Sequence, residues 1–178
     1  MIDNKSFILN SEGVSLWKSG LPIINILENA GGKPGEKLYH AEWRIMKSLF
    51  MQVINPFGEA TISFSFKDSQ GAELYTGSFR SYKKRARKLV NVQTTEEYDI
   101  TFQSKWLQNV SCELLKNNKQ FFIWKNDNRG GGTVYQSDKP VAYIKSKVGG
   151  IGNYKQVDVI NEVDTTLLLA FIAVVYSY

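Results

Sequence analysis

The residues of this chain best suited to chemistry are cationic. Five of its 22 basic residues fall in one run, Lys83-Lys84-Arg85-Ala86-Arg87-Lys88, the densest charge block in the sequence. Side chains of this type, this close together, attract anions. Each Lys or Arg near an anionic bilayer contributes about 1 kcal/mol, and the same block would draw nucleic acid by releasing counterions. The run also suits a plainer task, because lysines at a strand edge keep it solvated and discourage pairing with other chains. Tyr82 beside it can insert at a membrane interface, stack on a base or simply end a strand. Lys83, Lys84, Arg85, Arg87 and Lys88 are therefore the candidate ligands for an anionic headgroup.

Other residue types offer less. His40 and Cys112 are the single histidine and the single cysteine, too few for a zinc centre. A catalytic pair would require them to meet in space with no local motif around either, so a packed cysteine and a half-exposed histidine are expected. Arg129-Gly130-Gly131-Gly132-Thr133 lacks the Gly-Lys-Ser/Thr ending of a phosphate-binding loop, and Gly149-Gly150-Ile151-Gly152 lacks the third glycine of a dinucleotide fingerprint. Both read as turns. Glu96-Glu97 and the Asp158, Glu162, Asp164 group read as surface charge and helix capping. The sequence thus assigns no catalytic residue, metal ligand or cofactor, and points to a binding module instead of an enzyme.

What must position the basic run is a mainly β domain. The 178 residues, 43% hydrophobic, fit one domain over 1–178 with a core of its own. Short β-branched and aromatic runs alternate with Gly, Asn, Asp and Pro, the pattern of successive hairpins. The cleanest is Ala60 to Lys67, where Ile62, Phe64 and Phe66 share one face; Asp68-Ser69-Gln70-Gly71 supplies a turn into Glu73 to Arg80. Further strands are predicted at Ser6 to Asn10, Val14 to Lys18, Leu21 to Glu28, Leu38 to Ile45, Leu49 to Ile54, Tyr98 to Gln103, Gln120 to Lys125, Thr133 to Gln136, Val141 to Lys147 and Tyr154 to Ile160. Loops are expected over 29–35, 126–132 and 149–153.

The last segment differs in kind. Leu167-Leu168-Leu169-Ala170-Phe171-Ile172-Ala173-Val174-Val175 has no polar face, and Asn161 or Asp164 can cap it. A helix over about 162–177, enclosed on every side by the same domain, is expected. A membrane span needs about 20 apolar residues, so a transmembrane tail ranks behind enclosure, as does a core strand. Cys112 alone allows no internal disulfide, and Met1 to Ser6 has neither a basic nor an apolar leader region. A cytoplasmic location, with peripheral contact to a membrane, is the expectation.

A dozen strands followed by an all-apolar helix resembles the tubby C-terminal-like superfamily, which includes the LURP-one-related proteins and the phospholipid scramblases. The likeness is carried by Phe64-Ser65-Phe66-Lys67-Asp68-Ser69-Gln70-Gly71, by Val141-Ala142-Tyr143-Ile144-Lys145, and by Tyr154 to Ile160 leading through Asp164 into the final helix. It implies a closed antiparallel β-barrel of roughly twelve strands enclosing a hydrophobic C-terminal α-helix. It also implies recognition of an anionic, phosphoinositide-like headgroup through basic side chains. The chain lacks the Pro-rich or Cys-rich stretch and acidic loop of the scramblases and has no evident tubby signature, so no individual family residue is carried over. The alternative readings are a cytoplasmic scaffold or regulatory protein that binds another protein, and, ranked behind both, a nucleic-acid binder.

Overall fold

Twelve strands follow one another in the chain, each antiparallel to the last. They are β1 (Lys5–Glu12), β2 (Ile23–Ala30), β3 (Lys33–Met46), β4 (Thr61–Asp68), β5 (Glu73–Arg80), β6 (Arg87–Asn91), β7 (Glu97–Lys105), β8 (Asn109–Lys116), β9 (Lys119–Asn126), β10 (Gly132–Gln136), β11 (Lys139–Val148) and β12 (Asn153–Val159). One helix, α1 (Thr165–Val175), ends the chain. The computed structural model describes residues 5–12, 23–46, 61–80, 87–105, 109–127, 129–148 and 153–176. The predicted strands Val14 to Lys18 and Leu49 to Ile54, and most of the 149–153 loop, lie outside these residues.

Each strand pairs with its chain neighbours, and β1 pairs with β12, which closes the sheet into a barrel and leaves no edge. The closing seam runs from Lys5↔Val159 to Asn10↔Tyr154. On its outer face Asp158 acts as a latch. Its Oδ1 accepts hydrogen bonds from Ser6 Oγ and Gln156 Nε2, both at 2.7 Å, and its Oδ2 accepts one from Lys145 Nζ at 3.2 Å. Asn29 Nδ2 extends the chain of bonds by donating to Ser6 Oγ at 2.7 Å. Four strands, β2, β1, β12 and β11, are thereby tied across the seam.

Period-two alternation sorts the side chains. Every strand sends at least one residue into a single buried cluster, among them Leu9, Ile26, Trp43, Phe64, Leu89, Ile100, Cys112 and Val157, and α1 belongs to the same cluster. Residues 167–175 of the helix are each at most 5% exposed. A helix lying on the outside of a sheet would keep a solvent face, and this stretch has none. Its Phe171 ring stacks on Phe122 of β9 at 6.1 Å. We infer that α1 occupies the barrel's interior, where a twelve-stranded wall leaves space that an eight-stranded one would fill with side chains alone. Asp164 caps its start, with Oδ1 accepting from Leu167 N at 3.0 Å, and Tyr176 N closes its end on Ile172 O at 3.0 Å.

The observed elements depart from the expected ones at four places. The basic run, which suits a loop or a strand edge, ends in a strand that was not expected, since Arg87 and Lys88 open β6. Leu89 points inward there, and its burial organises the strand despite the flanking charge. Asn109–Lys116 is a strand that its mixed composition concealed. The Gly-rich stretch 29–35 is not an open loop: β2 runs to Ala30 and β3 starts at Lys33, joined by Gly31 and Gly32, both at positive φ. The helix is also shorter than 162–177, because Asp164 stops the backbone from entering it earlier.

Candidate functional site

Because the barrel is a simple antiparallel meander, its connections fall at two ends. At the hairpin end lie the turns β2–β3, β4–β5, β6–β7, β8–β9 and β10–β11, together with the start of α1. The tail end carries the connections β1–β2, β3–β4, β5–β6, β7–β8, β9–β10 and β11–β12, and the helix finishes there at Tyr176. Lys83, Lys84 and Arg85 belong to the β5–β6 connection and lie outside the described residues. The two described members of the basic run diverge. Lys88 points outward and donates to Glu97 Oε2 at 2.5 Å. Arg87, in phase with buried Leu89, turns into the tail end, with its guanidinium carbon 4.2 Å from the centre of the Phe102 ring.

Arg87 lines a cavity of about 590 Å³ together with Phe102, Val110, Trp124, Asn126, Gly130, Lys155, Val175 and Tyr176. Strand residues Arg87, Phe102, Val110, Trp124, Asn126 and Lys155 occupy positions in phase with the buried cluster, so the cavity is the barrel's interior above the last turn of α1. Its size falls within the range of small-molecule sites. Lys155 Nζ donates to Gly130 O and to Ser146 Oγ, both at 2.5 Å, and sits 5.0 Å from the centre of the Tyr176 ring. By contrast Lys67, Lys88, Lys116 and Lys145 all pair with carboxylates. Burial pulls the Lys155 ammonium below the usual lysine range, against the opposing charge of Asp127.

Trp124 and Tyr176 also line the cavity. Trp124 is 7% exposed, and its Nε1 has no hydrogen-bond partner; the same holds for the Tyr176 hydroxyl. Their rings meet edge to face at 5.8 Å. Burial pushes the Tyr176 phenol well up, the neighbouring Trp124 indole pulls the other way, and the Asp127 charge adds to the rise. The phenol therefore keeps its proton at neutral pH and stays a donor. Glycines let the wall close in: a Cβ on Gly132 would run into Trp124 Nε1 and the Lys125 carbonyl, and one on Gly131 into the Ile144 carbonyl. Asp127 Oδ1 shapes this turn by accepting from Arg129 N and Gly131 N, each at 2.9 Å.

The remaining candidates resolve into structural roles. Cys112 is fully buried on the inner face of β8, and burial pushes its thiol far above the reactive range. His40 points outward on β3, 3.4 Å from Glu42 Oε1, so the two cannot form a catalytic pair. Burial works to raise the Glu42 carboxyl, but Lys67, Arg44 and His40 around it outweigh that and hold it low. Glu96 pairs with Lys116 at 2.7 Å and accepts from the Tyr98 hydroxyl at 2.9 Å, and Asp164 caps the helix. Among the described residues, no group of His, Cys, Asp or Glu is arranged to hold a metal ion, and no helix is long and apolar enough to cross a membrane. A second cavity, of about 570 Å³, lies at the hairpin end, where Ser6 and Asn29 bond to each other.

Lys155, Trp124 and Tyr176 were not anticipated from the sequence. The available signal was phase: Lys155 shares the inward period of Val157 and Val159, as Arg87 shares that of Leu89. Known proteins offer no guide to this site, since no family model, no curated protein and no solved structure matches the chain.

Proposed function

We propose that the chain is a non-catalytic binding module that docks the tail end of its barrel on an anionic membrane surface. The observation that carries this reading is the opposite charge of the two ends. In sequence, the segments that join β1 to β2, β3 to β4, β5 to β6 and β9 to β10 contain Lys18, Lys47, Lys83, Lys84, Arg85 and Arg129 against Glu59 and Asp127. The hairpin-end connections, with the segment leading into α1, hold Glu96, Asp138, Glu162 and Asp164 and no basic residue. Part of this polarity offsets the helix dipole, which is equivalent to about half a charge at each end. Lys116 offsets Glu96 at the hairpin end, and the remaining difference is available to act on a partner. Such a field orients the molecule as it approaches an anionic surface. The resemblance of the sequence to the tubby C-terminal-like superfamily supports the same reading.

Co-sedimentation with liposomes of increasing anionic content, at low and high salt, tests it. Binding is expected to rise with anionic content, to fall with salt, and to weaken about a hundredfold in a K83A/K84A/R85A variant, at about 1 kcal/mol for each charge. Absence of binding at low salt, or binding that the variant leaves unchanged, contradicts the proposal.

A further inference from the structure

Lys155 is held differently from the lysines on the outside of the barrel. Lys67, Lys88, Lys116 and Lys145 pair with carboxylates. The Lys155 amine is held by neutral oxygens, Gly130 O and Ser146 Oγ, and no carboxylate among the described residues lies within ion-pairing distance of it. Ser146 Oγ gives its own proton to Gly130 O at 2.7 Å, so toward the amine it is an acceptor. The centre of the Tyr176 ring is 5.0 Å from Nζ. Gly130, Lys155 and Tyr176 all line the tail-end cavity, which places Nζ at its wall. An ammonium brings three N–H donors to this setting, whereas a neutral amine brings two donors and a lone pair. Two oxygen acceptors match the neutral form and leave its lone pair unengaged. Burial acts in the same direction and outweighs the Asp127 charge, so Lys155 holds a larger share of neutral amine than an exposed lysine does. A desolvated lysine beside apolar surface is a nucleophile toward carbonyl carbon. Phe102, Val110 and Val175 supply that surface here.

From this arrangement we infer that Lys155 is a covalent attachment site for a small apolar aldehyde, which it holds as an imine. The Nζ lone pair attacks the carbonyl carbon, and the C=O π pair moves to oxygen. One proton passes from nitrogen to that oxygen, giving a carbinolamine. The C–O bond then breaks as the C=N bond forms, and the departing hydroxide leaves as water with the second nitrogen proton. One water is released, nothing is oxidised or reduced, and hydrolysis reverses the attachment. Gly130 O and Ser146 Oγ hold the nitrogen at the cavity wall, and the apolar body of the aldehyde lies against Phe102, Val110 and the end of α1. The attachment needs neither lipid nor the outward basic run, so it stands apart from the membrane reading.

The test is to incubate the full chain, without lipid, with a limiting amount of decanal or 2-naphthaldehyde, to reduce any imine to a stable amine with cyanoborohydride, and to map the adducts by peptide mass spectrometry. We expect at least one of these probes to label Lys155 at least about tenfold above the mean of the other lysines, because an activated amine and a bound carbonyl reinforce each other. Formaldehyde has no apolar body, and its excess at Lys155 should be at least about threefold smaller. K155R keeps the charge but cannot form the imine, and should lose this labelling while the remaining lysines react as before. Thermal unfolding checks that K155R is folded, and the map of the parent chain stands without it. If decanal alone favours Lys155, the body is alkyl; if 2-naphthaldehyde alone does, it is aryl. Labelling of Lys155 at the level of the other lysines by both apolar probes, or an excess that formaldehyde reproduces in full, overturns the inference whatever the liposome result.

Discussion

At the hairpin end, adjacent strands are joined by turns whose residues sit at positive φ, Gly31-Gly32, Asn117-Asn118 and Ser137-Asp138, and the side chains there are mutually satisfied. Asp68 Oδ1 accepts from Gln70 N and Ala72 N, Asn91 Oδ1 from Gln93 N and Thr94 N, and Glu96 holds both Lys116 and Tyr98. The tail end has longer connections at 13–22 and 47–60, an excess of basic residues, and buried donors without acceptors around Trp124 and Tyr176. One end spends its polar groups on holding strands together, whereas the other keeps some available. Function is read at the end where internal satisfaction is incomplete.

The comparison can be broken most severely through the element the two ends share. Phe171 is fully buried in the middle of α1 and stacks on Phe122. Phe171→Ala is expected to cost about 3–5 kcal/mol by denaturant unfolding, whereas the K83A/K84A/R85A variant should shift stability by no more than about 0.5 kcal/mol for each site. A small loss in F171A would contradict enclosure of the helix.

A glycine at each end sharpens the contrast. Gly132→Ala at the tail end drives a methyl into the Trp124 indole and the backbone of Lys125, an overpacking cost of about 1–3 kcal/mol. Gly71, at φ +88° in the hairpin-end turn, has open space around it, so Gly71→Ala pays for backbone conformation alone, about 1–2 kcal/mol. Trp124 fluorescence should change in the first variant and not in the second.

The smallest effect concerns the seam. Burial tends to raise the Asp158 carboxyl, but hydrogen bonds from Gln156, Ser6 and Lys145 outweigh it and hold the group below its ordinary value. A carboxyl whose folded pKa is depressed contributes fully above its unfolded pKa of about 4 and loses that contribution as the pH falls through the folded one. Asp158→Asn should therefore cost about 1 kcal/mol at neutral pH, and the gap to the parent should close on acidification. A gap that stays constant with pH would remove the latch from the account.

Much of the fold was legible because burial writes itself into alternation. Ile62, Phe64 and Phe66 gave the phase of β4, and the unbroken run Leu167 to Val175 gave an enclosed helix. What escaped did so for physical reasons. In β6 the charges of Arg87 and Lys88 masked the single deep residue Leu89, and in β8 the inward series Val110, Cys112, Leu114 lacked the bulk that usually marks a strand. The cavity was less legible still. Its walls come from β6, β7, β8, β9, β12 and α1, and they meet only when the barrel closes.

The most direct test of the two-ended account is to ask which end meets an anionic bilayer. Cys112 is buried, so a thiol-reactive fluorophore can be directed to Arg129→Cys at the tail end or Asp138→Cys at the hairpin end, both exposed. The labelled proteins are then mixed with anionic vesicles carrying a quencher lipid. Strong quenching of the residue 129 label with little change at residue 138 is the predicted result. Equal quenching of the two, or stronger quenching at residue 138, would contradict it.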